Sequence, residues 1–468
     1  MKIVIIGATH AGTTAALHLK QCDPQFEIIL IERNNYIQFM RYGIAMSLQS
    51  GIPLEKMFLH QPSDFTKLGI NILLEHTATD IDFKQKSVTV LSAVNETKQL
   101  IYDKLIIATG SQPIVPKYAE NFNHLNNVFQ VKSYQNGLKL QEYFKQNKNQ
   151  DKVVAIIGGG YTAIELLQSF AQNNFKVIIV DRNPRVLRKY FDQDICEIVE
   201  EIIRPKCTLA LNSEVKSLQQ IQSKLHLNVF NNKTQEDQLI TADACVICIG
   251  DKPSTNFLVQ AAQRDGLELE TILDAIKIDK NSRTSIPDVY ACGGCAITRF
   301  HGEQIFLPLA QDAVRQGISA AFDIINQTNA KIPQLPTFDS EVTMAVRVYD
   351  KVLSQSGLST AHAQQLFGAD NVKSHTVKQL QKLDFMTINE NVHVKIIYRI
   401  DTKQLVGAQV VGDRNSVEVS QIASILINRG MDLKQVVQQE FAFNQWFGKP
   451  QHVLQQAALE VILQEGFK

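Results

Sequence analysis

The fold is decided by residues 3–19, which read IVIIGATHAGTTAALHL. A continuous apolar run such as residues 3–6 is typical of a parallel strand that is covered on both faces. A glycine turn follows it, and then a segment rich in helix formers. The next apolar run, residues 28–31, ends at Glu32, which lies 20 residues after Gly12. This succession of strand, glycine turn, helix and strand predicts a dinucleotide-binding unit.

Each residue type in this motif has a physical role in holding a dinucleotide. The glycines allow a tight turn and close packing of helix on strand, and the helix N-terminus faces a pyrophosphate. Glu32 would accept a hydrogen bond from a ribose hydroxyl. Thr9 replaces the middle glycine of the usual pattern, so the prediction depends on the whole succession. The candidate binding residues here are Gly7, Thr9, His10, Ala11, Gly12, Glu32 and Arg33.

The same pattern recurs from residue 153, where the sequence reads VVAIIGGGYTAIELL, and ends in the strand VIIVD at Asp181. Asp181 lies 21 residues after Gly160. A carboxylate at this place accepts from a free 2′-hydroxyl and repels a 2′-phosphate, which favours NADH, although Arg182 could pair with a phosphate. Two such units predict two dinucleotides and electron transfer between them. The candidate binding residues here are Gly158, Gly160, Tyr161, Thr162, Glu165, Asp181 and Gly250.

Length and composition limit the classes of protein that the chain can belong to. The chain has 468 residues, whereas a single hydrophobic core stops growing at about 250–300 residues. Roughly three domains are therefore expected. The 47 basic residues balance the 47 acidic ones, which argues against a nucleic-acid binder or a polybasic membrane protein. No apolar run approaches the roughly 20 residues that span a bilayer. We therefore expect a cytoplasmic protein with no nucleic-acid or membrane partner.

The seven cysteines do not indicate a secreted disulfide framework. Two CxxC pairs occur, Cys245/Cys248 and Cys292/Cys295. The first lies in an apolar run, and residues three apart on a strand point to opposite faces, so both cannot bind one metal ion. Buried apolar cysteine is therefore the expectation, and no metal site is predicted. The second pair could instead be a redox pair.

Four segments carry a resemblance to the flavoprotein pyridine nucleotide-disulphide oxidoreductases. These are residues 7–12 with His10, the stretch LIIATGSQP at 105–113, the GGGY turn with Glu165, and FLPLAQDAVRQG at 306–317. Within that family the chain is most similar to the branch of NADH oxidases, NADH peroxidases and coenzyme A-disulphide reductases. The resemblance covers the whole chain and implies FAD and NADH as cofactors, NADPH being less favoured. It adds Ala108, Thr109 and Gly110 to the candidate FAD site.

The resemblance also implies the order of the domains. It predicts an α/β fold in which one Rossmann-like domain is inserted into another, followed by an α+β C-terminal domain that forms a homodimer. The predicted boundaries are 1–113 and 285–330 for FAD, 114–284 for NADH and 337–468 for dimerisation, with residues 331–336 as a linker. Strands are expected at 391–397 and 405–411 and a helix at 416–429, whose apolar residues Val419, Ile422, Ile425, Leu426 and Ile427 would be core or interface.

Three further site residues follow from the flavin chemistry of the family. A reduced flavin carries negative charge at its N1–C2=O end, and the family directs a helix N-terminus there. Here Pro308 would suit the first turn, and the N–H groups near Leu309 and Ala310 would supply the positive end. By resemblance Tyr161 covers the flavin face and Glu165 orients the nicotinamide. A tyrosine that packs the helix and a solvated acid are the alternatives.

The segment 37–46, IQFMRYGIAM, departs from the family pattern. Relatives in this branch carry a redox cysteine just before the glycine, whereas this chain has Tyr42. A peroxidase or coenzyme A-disulphide reductase needs that sulfur, but dioxygen can take two electrons from a reduced flavin without it. The resemblance therefore implies an NADH oxidase that releases hydrogen peroxide. His10 and Tyr42 are the candidate catalytic residues, although His10 could be a capping or packing residue and Tyr42 could fill the space or obstruct dioxygen.

A second departure concerns FAD itself. The family segment Ala-x-Gly-Asp corresponds here to residues 291–294, so that Gly294, next to Gly293, replaces the acid. Losing one charge-assisted hydrogen bond of about 1.5–3 kcal/mol predicts weaker FAD binding. Two other functions therefore stay open: a dinucleotide-binding dimer that acts as a sensor or scaffold, and an NADH-dependent reductase of a quinone, dye or other acceptor. Residues 441–450, with Trp446, resemble the tail that lines the partner's active site or else pack at the interface.

Overall fold

The computed structural model describes residues 1–119, 125, 127–270, 273–328 and 339–466, so the predicted linker at 331–336 lies outside the described residues. The strands are β1 (Lys2–Ile6), β2 (Glu27–Ile31), β3 (Asn71–Leu73), β4 (His76–Asp82), β5 (Ser87–Ser92), β6 (Thr97–Ile101), β7 (Lys104–Ile107), β8 (Ser111–Pro113), β9 (Val128–Gln130), β10 (Val153–Ile157), β11 (Lys176–Val180), β12 (Thr208–Ala210), β13 (Ser213–Ile221), β14 (Lys224–Asn231), β15 (Glu236–Ala242), β16 (Ala244–Ile247), β17 (Asp251–Pro253), β18 (Val289–Ala291), β19 (Thr298–Phe300), β20 (Glu303–Ile305), β21 (Met344–Val348), β22 (Lys351–Gly357), β23 (Val372–Leu380), β24 (Asn391–Arg399) and β25 (Leu405–Gly412). The α-helices are α1 (His10–Cys22), α2 (Gly43–Ser50), α3 (Pro62–Thr66), α4 (Tyr134–Asn147), α5 (Tyr161–Ala171), α6 (Gln193–Ile203), α7 (Val259–Asp265), α8 (Ala310–Asn326), α9 (Thr360–Phe367), α10 (Val417–Asn428), α11 (Leu433–Val437) and α12 (Val453–Glu465), and 3-10 turns cover Leu54–Met57, Lys117–Ala119, Asn256–Leu258, Ala369–Asn371 and Arg414–Ser416.

Two parallel five-stranded sheets form the first two units of the molecule. The first unit has the strand order β18-β7-β1-β2-β3, and the second has β12-β11-β10-β16-β9. The strands on either side of β1 and of β10 run parallel to them, as the continuous apolar sequences of these strands predict. The predicted α/β fold class with two Rossmann-like units is confirmed.

The two units repeat one plan. In each, the chain leaves an edge strand, β3 or β12, for a three-stranded antiparallel sheet and returns on the other side of the central strand. These antiparallel sheets are β4-β5-β6 and β13-β14-β15. Each glycine turn therefore lies at the carboxyl end of a central strand, where a ligand site is expected in an open α/β sheet.

The chain enters and leaves the second unit side by side. Strand β8 pairs antiparallel with β17, so that Ser111 lies opposite Pro253 and Pro113 opposite Asp251. Beyond β17, apolar side chains that include Leu258, Leu267 and Ile278 pack into the core of the first unit beneath its antiparallel sheet. This packing favours a return to the first unit at β17, earlier than the predicted boundary at residue 284.

The C-terminal domain is built on an antiparallel sheet with the order β21-β22-β25-β24-β23. Helices α10 and α12 contribute apolar residues to its core. The predicted strands and helix in this part are confirmed as β24, β25 and α10. Ile425 is 63% exposed, whereas Val419, Leu426 and Ile427 are buried, so the predicted stripe divides between the core and the surface. Among the described helices, none has the length and apolarity that crossing a bilayer requires.

Candidate functional site

The glycine turn after β1 has no room for a side chain. Gly7 has a φ of +107°, and a Cβ there would lie 2.2 Å from the carbonyl oxygen of Ala108. A Cβ at Gly12 would lie 1.9 Å from the carbonyl oxygen of Gly7. Both positions require glycine because the backbones of β1, α1 and the segment after β7 meet there. The turn geometry that the sequence predicts is thus present.

The turn after β10 has the same construction and an open helix start. Gly158 has a φ of +104°, and a Cβ there would lie 2.4 Å from the carbonyl oxygen of Cys248. Gly160 is the N-cap of α5 and has nothing within 4 Å of the place where its Cβ would lie. An open helix N-terminus with free N–H groups is what a pyrophosphate needs. Thr162 lies in the first turn of the same helix.

Glu32 is held at the end of β2 by hydrogen bonds from the backbone. Its Oε2 accepts from the N–H of Ala8 at 3.0 Å, within the first glycine turn. Its Oε1 accepts from the backbone N–H of Asn34 at 2.9 Å and from the Asn34 side chain at 2.6 Å. The carboxylate is buried and fixed at the turn, where it can accept from a ribose, whereas Arg33 is exposed.

Asp181 repeats this arrangement in the second unit. Its Oδ2 accepts from the N–H of Gly159, and its Oδ1 accepts from the backbone and side chain of Asn183 at 2.7 and 2.9 Å. The next residue, Arg182, is exposed. Each unit therefore has one carboxylate that connects its glycine turn to an asparagine two residues further on. The same backbone geometry arises twice and suits a dinucleotide twice.

Two segments of the first unit complete the predicted FAD groove. Gly110, after β7, has a φ of +70° and nothing within 4 Å of its Cβ position. A Cβ at Gly294 would lie 3.1 Å from Pro308 and 3.2 Å from the Oγ of Ser111. Helix α8 begins at Ala310 with Leu309 as its N-cap, so Pro308 precedes the helix and is not in its first turn as predicted.

Other predicted residues of these two segments support the turns. Gly293 has a φ of +77°, and its Cβ position lies 3.3 Å from the Cβ of Ala11, so glycine lets this loop pack on α1. Ala108 is buried, and its N–H donates to the carbonyl of Ile6 at 2.8 Å. Thr109 leads from there into Gly110. Gly250 has a φ of +109° directly before β17.

Tyr161, the first residue of α5, belongs to an aromatic cluster. Its ring centroid lies 5.0 Å from that of Tyr190 and 6.2 Å from that of Phe191. Its hydroxyl is buried and has no hydrogen-bond partner among the described residues. A buried phenol without a partner is costly, so this hydroxyl is suited to a ligand that approaches α5. The packing role and the covering role considered for Tyr161 are both compatible with this position.

A narrow cleft of about 260 Å³ lies between the first unit and the second. The first unit contributes Arg41, Tyr42 and Ala45, and the second contributes Val131, Thr162 and Glu165. Tyr42 is the N-cap of α2, and its hydroxyl accepts from Nη2 of Arg41 at 2.9 Å. The guanidinium also lies over the Tyr42 ring, 4.7 Å from its centroid. Two of the predicted site residues, Tyr42 and Glu165, thus line the same cleft.

Burial and Arg41 control the titration of the acids and bases here. Burial raises the pKa of Glu165 to about 7, and the positive charge of Arg41 acts against this rise. Burial lowers the pKa of His10, and Arg41 lowers it further. His10 is the first residue of α1, and it lies close enough to Arg41 for that positive charge to act on its imidazole. A carboxyl group with a pKa near neutrality can exchange protons at physiological pH.

We expect Glu165→Gln to stabilise the protein at alkaline pH and to have little effect at acidic pH. Because the folded-state pKa lies above the ordinary value of 4.5, the contribution of Glu165 to stability is complete below that value and is lost as pH rises through about 7. Thermal unfolding at about pH 4 and about pH 8.5 should show a gain of a few degrees only at the higher pH. Glu142→Gln, on the exposed face of α4, is the control, and an equal gain at both pH values contradicts the prediction.

A cluster of charged groups that sequence reasoning missed adjoins this cleft. Oδ2 of Asp251 accepts from Arg41 at 2.5 Å and from Lys132 at 2.7 Å. Ser111 donates to the same oxygen at 3.2 Å and accepts from Lys132 at 2.7 Å. Burial acts to raise the pKa of Asp251, but Arg41 and Lys132 outweigh it and hold the pKa at about 2. The sequence contains one signal that could have indicated this cluster, since Arg41 and Asp251 are charged residues that adjoin apolar or glycine-containing segments.

None of the four cysteines of the two pairs is among the residues that line the cleft. Cys245 packs in the core on one face of the second sheet, and Cys248 packs against the core on the other, which confirms that the two sulfurs face opposite ways. Cys292 and Cys295 are fully buried, and burial raises the pKa of both thiols. A buried thiol with a raised pKa is a poor nucleophile. Within the described residues, no group of three metal-binding side chains is found.

An exposed aromatic surface lies on the C-terminal domain. Trp446 is 63% exposed and Phe447 is 77% exposed, and both lie in the segment between α11 and α12. Lys449 of this segment pairs with Asp384 at 3.3 Å, next to the exposed Phe385. Exposed aromatic residues of this size are typical of a surface that another protein covers.

Comparison with known proteins agrees with this geometry. The sequence profile described as pyridine nucleotide-disulphide oxidoreductase matches residues 1–317, and the profile of the dimerisation domain of that family matches residues 344–444. An NADH oxidase of Enterococcus faecalis is 27% identical over 98% of this chain and 100% of its own length.

Two solved structures resemble the whole chain. The water-forming NADH oxidase of Lactobacillus brevis bound to NADH has a TM-score of 0.90 and 26% identity, covering 100% of this chain and 99% of its own. An engineered water-forming NADPH oxidase, a mutant of that enzyme, has a TM-score of 0.90 and 27% identity over the same shares. The chain therefore belongs to the pyridine nucleotide-disulphide oxidoreductase family and is an NAD(P)H-dependent flavin oxidoreductase similar to the NADH oxidases.

Proposed function

We propose that this protein is an FAD-dependent NADH oxidase that releases hydrogen peroxide, with the balance NADH + H⁺ + O₂ → NAD⁺ + H₂O₂. The observation that carries the proposal is the repeated glycine turn with a fixed carboxylate, once at Glu32 and once at Asp181. Two dinucleotide sites in one chain fit the passage of electrons from one cofactor to the other. Similarity to NADH oxidases over 98% of the chain supports the same activity.

The first unit would hold FAD. The open space at Gly110 and the absence of room for side chains at Gly7 and Gly12 fit a dinucleotide that lies close to the backbone. Glu32 would accept from its ribose, and the N–H groups at the start of α8 would face the flavin ring. When bound, FAD supplies a group that accepts a hydride and passes electrons on singly or in pairs.

The second unit would hold NADH, and the residues of α5 would orient the nicotinamide. The open helix start at Gly160 would receive the pyrophosphate, and Asp181 would accept from the ribose. The hydroxyl of Tyr161, which has no partner within the described part of the chain, offers a donor and an acceptor to the carboxamide or ring. Glu165, in the cleft one turn further on, would hold a proton near neutral pH.

The choice of peroxide as the product depends on Tyr42. By resemblance this position carries the redox cysteine that reduces peroxide further, and no cysteine lies in the segment 37–46. The name of the Lactobacillus brevis enzyme describes it as water-forming. We propose that this chain differs in product because a phenol cannot reduce hydrogen peroxide by two electrons in the way a thiolate does.

Two measurements on the purified holoenzyme test this function. We expect NADH to bleach the flavin absorbance under anaerobic conditions, and we expect one hydrogen peroxide per NADH after air is admitted. Rapid NADH consumption under air with almost no peroxide would contradict peroxide release. Failure of NADH to bleach bound flavin would contradict the oxidase itself and favour a sensor or scaffold. Anaerobic turnover with quinones or dyes but slow turnover with air would identify another acceptor.

We further propose that the protein is a homodimer whose aromatic surface, Phe443, Trp446 and Phe447, is covered by the partner subunit. The match to the dimerisation domain and the exposure of these side chains support this assembly. By resemblance the covered segment would adjoin the partner's active site. Sedimentation of the wild-type protein should give a dimer mass.

We expect Asp181→Asn to raise the preference for NADPH over NADH by about ten-fold or more. The substitution keeps the shape of the side chain but removes the charge that repels a 2′-phosphate, and the exposed Arg182 can then pair with that phosphate. NADH binding should also weaken, because an amide is a poorer acceptor for the ribose hydroxyl than a carboxylate, and this loss contributes a similar factor to the change in preference. The measurement is kcat/KM for both nucleotides.

Glu32→Gln is the matched control for this prediction, because it makes the same change at the equivalent position of the first unit. It should weaken FAD binding and leave the ratio of the two nicotinamide nucleotides unchanged. An equal change of that ratio in both variants would show that Asp181 does not select the nucleotide.

A further inference from the structure

The charged cluster beside the cleft has more positive than negative charge. Arg41 and Lys132 share the single oxygen Oδ2 of Asp251, and no second carboxylate makes an ion pair with either cation among the described residues. Glu165 lines the same cleft, but its raised pKa leaves it partly neutral near pH 7. Two cations therefore face one ionised carboxylate and one carboxyl group that is only partly charged.

The position of Arg41 directs this excess charge toward the cleft. Its Nη1 contacts Asp251, whereas its Nη2 donates to the hydroxyl of Tyr42. The phenol oxygen accepts that bond, so its own O–H remains for a different acceptor. Arg41, Tyr42 and Glu165 all line the cleft, whose volume is about 260 Å³.

The positive charge beside the cleft suits an acceptor on which negative charge develops. Dioxygen is such an acceptor, and it is small enough to enter a narrow cleft. Dioxygen is uncharged when it arrives and becomes negatively charged as electrons reach it. A fixed cation at the place where negative charge develops stabilises the transition state. Unlike solvent water, it does not have to reorient when the charge appears.

We propose that Arg41 is an anion-stabilising residue of a dioxygen site in this cleft, where Tyr42 donates a hydrogen bond to the reduced oxygen. This inference rests on the proposed oxidase function and specifies its acceptor. Two electrons from NADH pass to dioxygen, one proton comes with the hydride and the second comes from solvent, so that the O–O bond is kept and hydrogen peroxide leaves. Lys132 and Asp251 position the guanidinium.

The experiment compares the wild-type holoenzyme with Arg41→Met and Arg41→Lys. Each protein is first reduced by NADH without oxygen and is then reoxidised separately by dioxygen and by ferricenium, a cationic oxidant that becomes neutral when it is reduced. We expect Arg41→Met to slow reoxidation by dioxygen about 100-fold, as the loss of one stabilising donor does elsewhere, and not to slow reoxidation by ferricenium, on which no negative charge develops. Arg41→Lys keeps the charge and should retain most of the dioxygen rate.

A binding measurement gives a second readout that does not depend on turnover. Chloride, a small monoanion, should perturb the absorbance of the oxidised wild-type flavin with saturation and should leave Arg41→Met unperturbed. Asp251→Asn removes the neutralising carboxylate and should tighten chloride binding. Arg41→Met leaves Asp251 paired with Lys132, so loss of folding is not expected, and thermal unfolding of each variant checks this.

The outcomes separate this inference from the function on which it rests. A wild type that NADH does not reduce contradicts the oxidase and this site together. A wild type that is reduced, with Arg41→Met reoxidised by dioxygen at the same rate, contradicts only the role of Arg41. Equal slowing with dioxygen and ferricenium, or chloride binding that survives Arg41→Met, also overturns the proposal.

Discussion

Gly158→Ala is expected to lower the free energy of unfolding by about 4 kcal/mol and to abolish NADH binding. The φ of +104° is unfavourable for any residue with a side chain, and the new Cβ would lie 2.4 Å from the carbonyl oxygen of Cys248. To relieve this contact, the turn after β10 must move away from the segment after β16, against which it packs. Chemical denaturation and NADH titration measure the two effects.

Gly160→Ala is the matched control two residues further along the same turn. Its backbone is extended, with a φ of −84°, and its Cβ would meet no atom within 4 Å. We expect unchanged unfolding but weaker NADH binding, because a methyl group there occupies the space that faces the pyrophosphate. If Gly158→Ala unfolds like Gly160→Ala, then the close backbone approach does not stabilise this unit.

Tyr42→Cys is expected to convert the enzyme from peroxide release to water formation, so that NADH consumed per dioxygen rises from one to two. The new thiol would stand at the N-cap of α2 beside Arg41, and both features lower a thiol pKa. The thiolate attacks hydrogen peroxide to give a sulfenic acid and hydroxide. Two electrons from a second NADH and one proton then restore the thiolate and release water.

An oxygen electrode combined with NADH absorbance gives this ratio directly. Tyr42→Ser is the control, because it makes the same space and lacks sulfur, and it should keep a ratio of one with full peroxide release. A ratio of two in the serine variant would show that the space rather than the sulfur decides the product. A ratio of one in the cysteine variant would contradict the assignment of Tyr42 to the cysteine position.

The sequence predicted the elements that depend on local pattern. The apolar runs before Gly7 and Gly158 became the central strands β1 and β10, and Glu32 and Asp181 lie at the ends of β2 and β11 as the spacing required. These features follow from residues that are close in the chain. The strand geometry also predicted correctly that Cys245 and Cys248 point apart.

Features that depend on distant contacts were not predicted. The ion pair of Arg41 with Asp251 joins residues 210 positions apart, and neither belongs to a spaced motif. The packing of Leu258, Leu267 and Ile278 on the first unit likewise depends on a core that no local pattern specifies. Pro308 was expected inside a helix because proline suits a first turn, yet the helix begins two residues later, at Ala310.

The pairing of β8 with β17 has a consequence for how such proteins can change. Strands β8 and β17 carry the two ends of the second unit, and they are hydrogen-bonded to each other. The chain therefore enters and leaves that unit at neighbouring points. Insertions are tolerated best where the two ends of the inserted unit lie close together at the surface. A different nucleotide-binding unit grafted between residues 113 and 251 would also need an apolar face for Ile44, Ala45 and Leu48 of α2, which share a core with the present unit.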